Sequence, residues 1–164
     1  MIRPEIIVPK FLMEQVVRSL TLNKNTAENI LITELDFNRL SSVLDSEDEK
    51  ALDLSRDLDE KLLSSSVIEP KDTPNDLITM NSRVICRIPD HSANSEHLSS
   101  LTLVYPQDAD IVSHRISVLS QVGRAILGRR IGDIVTWKGN DGFLRKMKLE
   151  KMDYQPEESG DWHL

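Results

Sequence analysis

Two prolines, Pro70 and Pro74 in Glu69-Pro70-Lys71-Asp72-Thr73-Pro74-Asn75, divide this chain. Proline lacks a backbone donor and clashes with the preceding helical turn, so no helix runs through this stretch. The apolar period also changes across it. Before the prolines, apolar residues recur at spacings of three and four. After them, apolar and polar residues alternate. The chain therefore has to supply a helical unit, residues 1–70, and a sheet-rich unit, residues 74–164. A polar linker of this kind predicts a variable angle between the two.

In the helical unit, Asp45-Ser46-Glu47-Asp48-Glu49 reads as a helix start, because Ser46 and Glu49 have the spacing of a capping box. The helix is expected to run to about Ser65, with Ala51, Leu54, Leu58 and Leu62 on one face. Before it, Asp36 can cap a shorter helix carrying Phe37, Leu40 and Leu44. The two predict an antiparallel helical hairpin, a short coiled coil over about 36–65 with its tip near 45–48. Alternatively, Asn25-Thr26-Ala27-Glu28 caps one long helix through Leu44. A faint echo at an offset of 24 aligns Ile6-Ile7-Val8, Phe11, Val16 and Leu20 with Ile30-Leu31-Ile32, Leu35, Leu40 and Leu44. Each copy reads as a short apolar segment followed by an amphipathic helix.

In the sheet unit, strands are expected over 77–84, 101–105, 116–119, 134–137 and 143–152. Gly139-Asn140-Asp141-Gly142 is a hairpin turn, because Asn, Asp and Gly tolerate positive φ. Ser120 and Gly128 bracket one short helix as N-cap and C′ residue. The fold class is α+β: a helical hairpin followed by an antiparallel sheet with one short helix.

Charge narrows the function. The chain has 164 residues and a net charge of −7. Residues 1–70 hold 14 acids and 8 bases, and residues 71–164 hold 13 and 12. This balance argues against sequence-independent duplex binding, which needs a basic face. Aromatic residues are 4% of the chain, too few for a stacking platform on single strands. One Cys excludes a disulfide framework and a Cys-cluster zinc site. No apolar run approaches the ~20 residues of a membrane span. Pro9-Lys10 interrupts the first apolar stretch, unlike a signal peptide. A cytoplasmic protein with no membrane partner is expected.

Several ordered blocks together resemble a known family: Thr79-Met80-Asn81-Ser82-Arg83-Val84, Leu103-Val104-Tyr105-Pro106, Ile116-Ser117-Val118, Val122-Gly123, Ala125-Ile126-Leu127-Gly128 and Gly132-Asp133. They look like the C-terminal domain of the Gre transcription elongation factors, most of all its Rnk (regulator of nucleoside diphosphate kinase) type. The ending Tyr154-Gln155-Pro156-Glu157 with Gly160-Asp161-Trp162 resembles that type too. The resemblance implies an FKBP-like fold for residues 74–164 after the helical hairpin. It implies binding to core RNA polymerase at the rim of the secondary channel, with nucleic acid met only through the polymerase. The rim contact would lie around Ser120, Gln121 and Arg124, with the tip acids Asp45, Glu47, Asp48 and Glu49 pointing inward. Gre factors use tip acids to hold Mg²⁺ and stimulate transcript cleavage. The Rnk type has a shorter hairpin and is expected to bind, and compete with Gre factors, without cleaving. The Gre tip pattern Gly-Asp-Leu-Ser-Glu-Asn is absent here, and Ser120-Gln121 replaces the frequent Ser-Pro. The family does not account for some twenty extra residues at the N-terminus.

The remaining candidates have plain alternatives. Acids in a first helical turn complement the helix dipole without holding metal. Residues 36–44 span about 14 Å and 47–65 about 28 Å, so the shorter arm limits reach; a start near Thr26 would add about 15 Å. Such an arm at full length could instead make the protein a cleavage factor. Cys86, His91 and His97 fit no zinc spacing and read as a buried thiol and two surface histidines. His114 could exchange protons with Asp108 or Asp110, but no nucleophile has a recognisable setting. Arg115, Arg124, Arg129 and Arg130 form a basic concentration, either balanced by nearby acids or facing an acidic partner patch. An FKBP-like fold also raises peptidyl-prolyl isomerase chemistry, which needs an aromatic-lined pocket. Only Tyr105, Trp137, Phe143, Tyr154 and Trp162 are available, spread along the unit. A non-enzymatic regulator with no cofactor or metal is the expectation.

Overall fold

The computed structural model describes residues 30–46, 52–90 and 95–164. Strand β1 (Leu31–Thr33) runs directly into helix α1 (Glu34–Ser46), and helix α2 (Leu52–Leu63) precedes strand β2 (Ser66–Ile68). β1 and β2 pair in parallel, Ile32 opposite Val67. That pairing anchors the start of α1 beside the end of α2. The first helix begins neither at an Asp36 cap nor near Thr26. Thr33 Oγ1 accepts from the Asp36 N–H at 3.1 Å, as an N-cap side chain does. Residues 31–33 are committed to β1, so no helix continues back through them. The second copy of the echo is thus a strand and a helix. Its first copy lies outside the described residues, as do Glu47, Asp48 and Glu49 and with them the proposed capping box.

Helix α2 buries Leu58 and Leu62 and exposes Asp57, Asp59 and Glu60, the amphipathic division its spacing predicts.

The second sheet has the order β5-β4-β3-β7-β6, built from β3 (Arg83–Asp90), β4 (Ser95–Val104), β5 (Arg115–Ser117), β6 (Ile134–Lys138) and β7 (Leu144–Tyr154). Its neighbours are antiparallel except β4 and β5. Helix α3 (Gln121–Ile126) lies between β5 and β6, and α4 (Pro156–Ser159) follows β7. The molecule is mixed α+β.

The strand expected over 77–84 differs from expectation. Residues 77–82 form no regular strand: Leu77 makes an isolated antiparallel bridge with Arg130, and residues 79–82 form a turn in which Ser82 N–H donates to Thr79 O and Asn81 has φ 61°. Leu77, Ile78, Thr79 and Met80 are all buried, which a strand with one solvated face would not allow. The central strand begins only at Arg83. It passes through Pro89, which punctuates the sequence like a loop. Pairing with β7 ends at Arg87, so the missing proline N–H leaves no gap between β3 and β7.

A single core crosses the linker. Ile32, Leu40, Leu58 and Leu62 pack in one buried cluster with Ile78, Met80, Leu103, Tyr105, Ile126 and Leu127. The linker itself is ordered by hydrogen bonds. Asp72 N–H donates to Glu69 O at 2.9 Å, and Gln155 Nε2 donates to Pro74 O at 2.9 Å and Leu77 O at 2.7 Å. The variable hinge angle expected from the two prolines is therefore not what the contacts describe.

A buried polar tie across this boundary is Asp36, 4% exposed. Its Oδ2 accepts from the Met80 N–H at 2.9 Å and its Oδ1 from the Tyr105 hydroxyl at 3.3 Å. Burial raises its pKa to about 6, against the lowering effect of the Met80 bond, with nearby Glu157 adding repulsion. Asp36 therefore holds its proton in the folded chain at pH values where the unfolded chain has lost it. Its contribution to stability is full below about 4 and falls as pH rises to about 6. Two units correspond to ~2–3 kcal/mol. Urea melts from pH 4 to 7 should show this loss in the wild type and not in Asp36→Asn. Asp36→Ala, which strands the Met80 N–H, should cost about 1–3 kcal/mol at pH 4, and its deficit relative to the wild type should shrink as pH rises to 7, because only the wild type loses the Asp36 contribution.

Candidate partner-binding site

The site is built where β5 turns into α3. Ser120 Oγ accepts from the Gly123 N–H at 3.0 Å, and the Ser120 hydroxyl donates to Ser117 O at 2.7 Å. This is the N-cap expected of Ser120. Because the cap supplies the helix start, Gln121 takes the first helical position without proline. At the other end Leu127 is the C-cap residue. Gly128 follows with φ 71°, and its N–H donates to Ile78 O at 2.9 Å. Gly123 is buried against β5; a Cβ there would overlap the Ser117 carbonyl and the Val118 backbone. The absence of a side chain sets how closely α3 approaches the sheet.

A groove of about 490 Å³ opens beside this turn. Leu119, Ser120, Gln121 and Val122 form one wall. Trp137, Gly139, Asn140, Asp141 and Arg145, from the β6–β7 hairpin, form the other. The hairpin turn is the expected one: Gly139 N–H donates to Phe143 O at 2.8 Å and Gly142 has φ 82°. Arg145 pairs with Asp141 at 2.5 Å across it. The sequence offered Ser120 and Gln121. It gave no sign that Trp137 and Arg145 stand opposite, because that depends on sheet order.

Arg124 points elsewhere. Its side chain is 11% exposed, pairs with Asp57 of α2 at 3.3 Å and donates to Leu119 O. Its carbonyl accepts from Lys61 Nζ at 2.6 Å, and burial lowers the Lys61 pKa to about 8. Arg124 thus joins α3 to α2. The other arginines are also dispersed: Arg115 pairs with Asp108 at 3.6 Å and Arg130 with Asp76 at 2.6 Å. Of the four expected tip acids only Asp45 is among the described residues, exposed near the end of α1.

Cys86 is fully buried in β3, its thiol pushed up to about 12 by desolvation, and His97 is exposed on β4. His91 lies outside the described residues. Among the described residues no group of three or more His, Cys, Asp or Glu side chains could hold a metal ion. Asp110 is occupied by its own turn, accepting from Val112 N–H at 3.0 Å and Ser113 Oγ at 2.5 Å. The five aromatics of this unit are not gathered. Tyr105 is buried, Trp137 lines the groove, Phe143 is exposed on the hairpin, Tyr154 bonds Asp161 and Trp162 sits beside Pro70.

An α+β molecule whose curled sheet carries one short capped helix, tied to a helical pair, matches one protein class. The family described as "Transcription elongation factor, GreA/GreB, C-term" matches residues 73–154. A solved structure, "Prokaryotic transcription elongation factor GreA/GreB from Nitrosomonas europaea", superposes with a TM-score of 0.62 at 34% identity, covering 76% of this chain and 99% of that one. The chain is 32% identical over 135 residues to the regulator of nucleoside diphosphate kinase of Escherichia coli K12, covering 82% of this chain and 96% of that protein. The GreA factor of Thermotoga sp. strain RQ2 is 33% identical over 94 residues, 57% of this chain and 58% of that protein. The chain belongs to the GreA/GreB transcription elongation factor family, among members of the nucleoside diphosphate kinase regulator type.

Gly123→Ala tests how the groove wall is set. Because the clash is with backbone, it should cost roughly 2–3 kcal/mol in urea denaturation. The same substitution at exposed Gly132 meets nothing within 4 Å, and costs only the strain of its φ of 99°.

Proposed function

We propose that this protein is a non-enzymatic transcription regulator that binds core RNA polymerase at the rim of its secondary channel and competes there with Gre factors without stimulating transcript cleavage. Residues 74–164, read as an FKBP-like domain, make the rim contact through Ser120 and Gln121, with Arg124 holding that turn to α2. Residues 36–65 form an antiparallel helical hairpin, its tip at Asp45, Glu47, Asp48 and Glu49 directed into the channel. Family membership supports the partner.

The observation that carries the blocking action is the length of the arm. The described parts of helices α1 and α2 are 13 and 12 residues, about 20 and 18 Å at 1.5 Å per residue, with residues 47–51 outside the described residues. The pairing of β1 with β2 fixes where both helices are anchored, so α1 does not gain length toward Thr26. A short arm fills the channel mouth and excludes a longer one without bringing carboxylates to the polymerase's metal ions. Acids at the tip then serve the helix termini.

The test uses a backtracked elongation complex with Mg²⁺ and a labelled transcript. The protein alone should leave the transcript uncut, and adding it to a Gre factor should slow cleavage in proportion to its concentration. Cleavage by the protein alone, abolished by Glu47→Ala with Asp48→Ala, would replace the blocker with a cleavage factor.

A further inference from the structure

The five-stranded sheet has an outer face, turned away from α3 and the core. In its register Ile134 of β6 pairs with Lys148 of β7, Lys148 with Arg87 of β3, and Arg87 with Leu98 of β4. Ile134, Lys148 and Arg87 alternate with the buried Val135, Leu149 and Cys86, so this row crosses the outer face of four strands. Its two ends are apolar and open to solvent, Leu98 58% and Ile134 65% exposed. Its middle is basic. At about 4.8 Å between strands the row is about 14 Å long. A depression of about 330 Å³ lies along it, lined by Arg87 and Pro89 from β3 and by Ile134, Lys146 and Lys148 from β6 and β7. The charge of this face opposes that of the chain. Its strands carry Arg83, Arg87, Lys138, Lys146, Lys148 and Lys151. The acids among them are Glu96, Glu150 and Asp153, so six bases face three acids on a chain of net charge −7. Arg83 takes Asp153 at 2.5 Å, and Arg87 takes Glu150 at 2.8 Å and Glu96 at 3.7 Å. Lys148 shares Glu150 at 3.4 Å. Lys138, Lys146 and Lys151 are exposed and make no ion pair among the described residues.

We propose that this outer face binds an acidic, extended segment of a partner protein. Apolar side chains of the segment rest on Ile134 and Leu98, and its carboxylates meet Lys146 and Lys151, which flank the row along β7. In an extended chain, side chains two residues apart share a face and lie about 7 Å apart. Apolar residues at i and i+4 therefore span the row, and an acid at i+2 falls over its basic middle. Lysines without acidic neighbours steer such a segment and fix its register. Nucleic acid suits the face less well. Glu96, Glu150 and Asp153 stand among the bases, where each repels a phosphate, and no residue of the row is aromatic, so a base finds no ring to stack on. The groove beside α3 lies on the opposite side: Trp137 and Arg145 alternate with Thr136 and Lys146 and share the face of Val135 and Met147. Binding at the outer face is thus independent of the rim reading.

The experiment uses the full chain and a fluorescein-labelled peptide, Glu-Leu-Asp-Glu-Asp-Leu-Glu, read by anisotropy. A second peptide has serine in place of both leucines, and a labelled oligouridylate is the nucleic-acid probe. The variants are the double charge reversal Lys146→Glu with Lys151→Glu, and Ile134→Ser, with unfolding midpoints recorded for each. Expected are saturable binding of the leucine peptide that weakens with added salt, a loss of tenfold or more for the charge reversal, and a loss of threefold or more both for Ile134→Ser and for the serine peptide. Acetylation of the wild-type lysines, read by mass spectrometry, should show Lys146 and Lys151 protected by the leucine peptide; this measurement decides if the double variant fails to fold. Absence of peptide binding, full affinity in a folded charge reversal, or unprotected lysines in the saturated complex overturns the proposal. So does equal binding of the serine peptide, or tighter binding of the oligouridylate at the same salt. Sedimentation of the protein alone covers the remaining occupant: self-association abolished by the charge reversal would give the face to a second copy and overturn the acidic segment. No polymerase enters the assay, so none of these outcomes bears on the rim reading.

Discussion

The Met80 N–H is buried in a turn and has no strand to receive it; the carboxylate of Asp36, 44 residues earlier, is its acceptor. A buried donor without a partner costs more than a hydrogen bond gains, so this pairing is closer to a requirement than an addition. Its position is what matters. Asp36 is in the first turn of α1, Met80 is in the turn that leads into the central strand, and Tyr105, the third member, immediately follows β4. One carboxylate therefore fixes α1 to two separate segments, one just before β3 and one just after β4. The same turn is braced from the C-terminal side, where Glu157 Oε2 accepts from Thr79 Oγ1 at 2.7 Å and Thr79 Oγ1 lies 2.9 Å from Ser82 Oγ. The cost of the arrangement is the burial of an ionised group, visible in the raised pKa of Asp36 and, in the same direction and mainly from burial, of Glu157.

What the sequence made legible follows from the range of the interactions involved. Ser120 as a cap, Gly128 after the helix and the Gly139–Gly142 turn are local: each is decided by residues within about four positions, and each stands where its chemistry put it. The Asp36 misreading came from the same source. Asp and Thr are both good caps, and Thr33 and Asp36 are close enough that either could start the helix. The choice was made by β2, more than 30 residues away, which pairs with β1 and pins Thr33 at the junction. Residues 77–80 failed similarly, since alternating chemistry mattered less than their burial on all sides.

The linker shows why composition is a poor guide to rigidity. Pro70 and Pro74 with charged neighbours read as a hinge, yet Gln155, 1% exposed, donates to the Pro74 and Leu77 carbonyls. A proline-rich segment has fewer conformations to lose, so a few hydrogen bonds order it readily. Nothing near 70–77 announces that its partner is Gln155.

The candidate site was half legible for the same reason. Ser120 and Gln121 came from one helix start, whereas the opposite wall is assembled by strand order β3-β7-β6, which carries the hairpin round to face α3. Arg124 shows the converse. A short helix with an arginine in its last turn suggests an outward charge, but the arm occupies that side of α3 and Asp57 takes the guanidinium. The arm and the groove are therefore coupled through α3: Lys61 and Asp57 of α2 hold its Arg124, and its first turn walls the groove. A partner seated in the groove would meet a wall whose position depends on the arm being docked, so arm placement and groove shape are set together by the same few contacts.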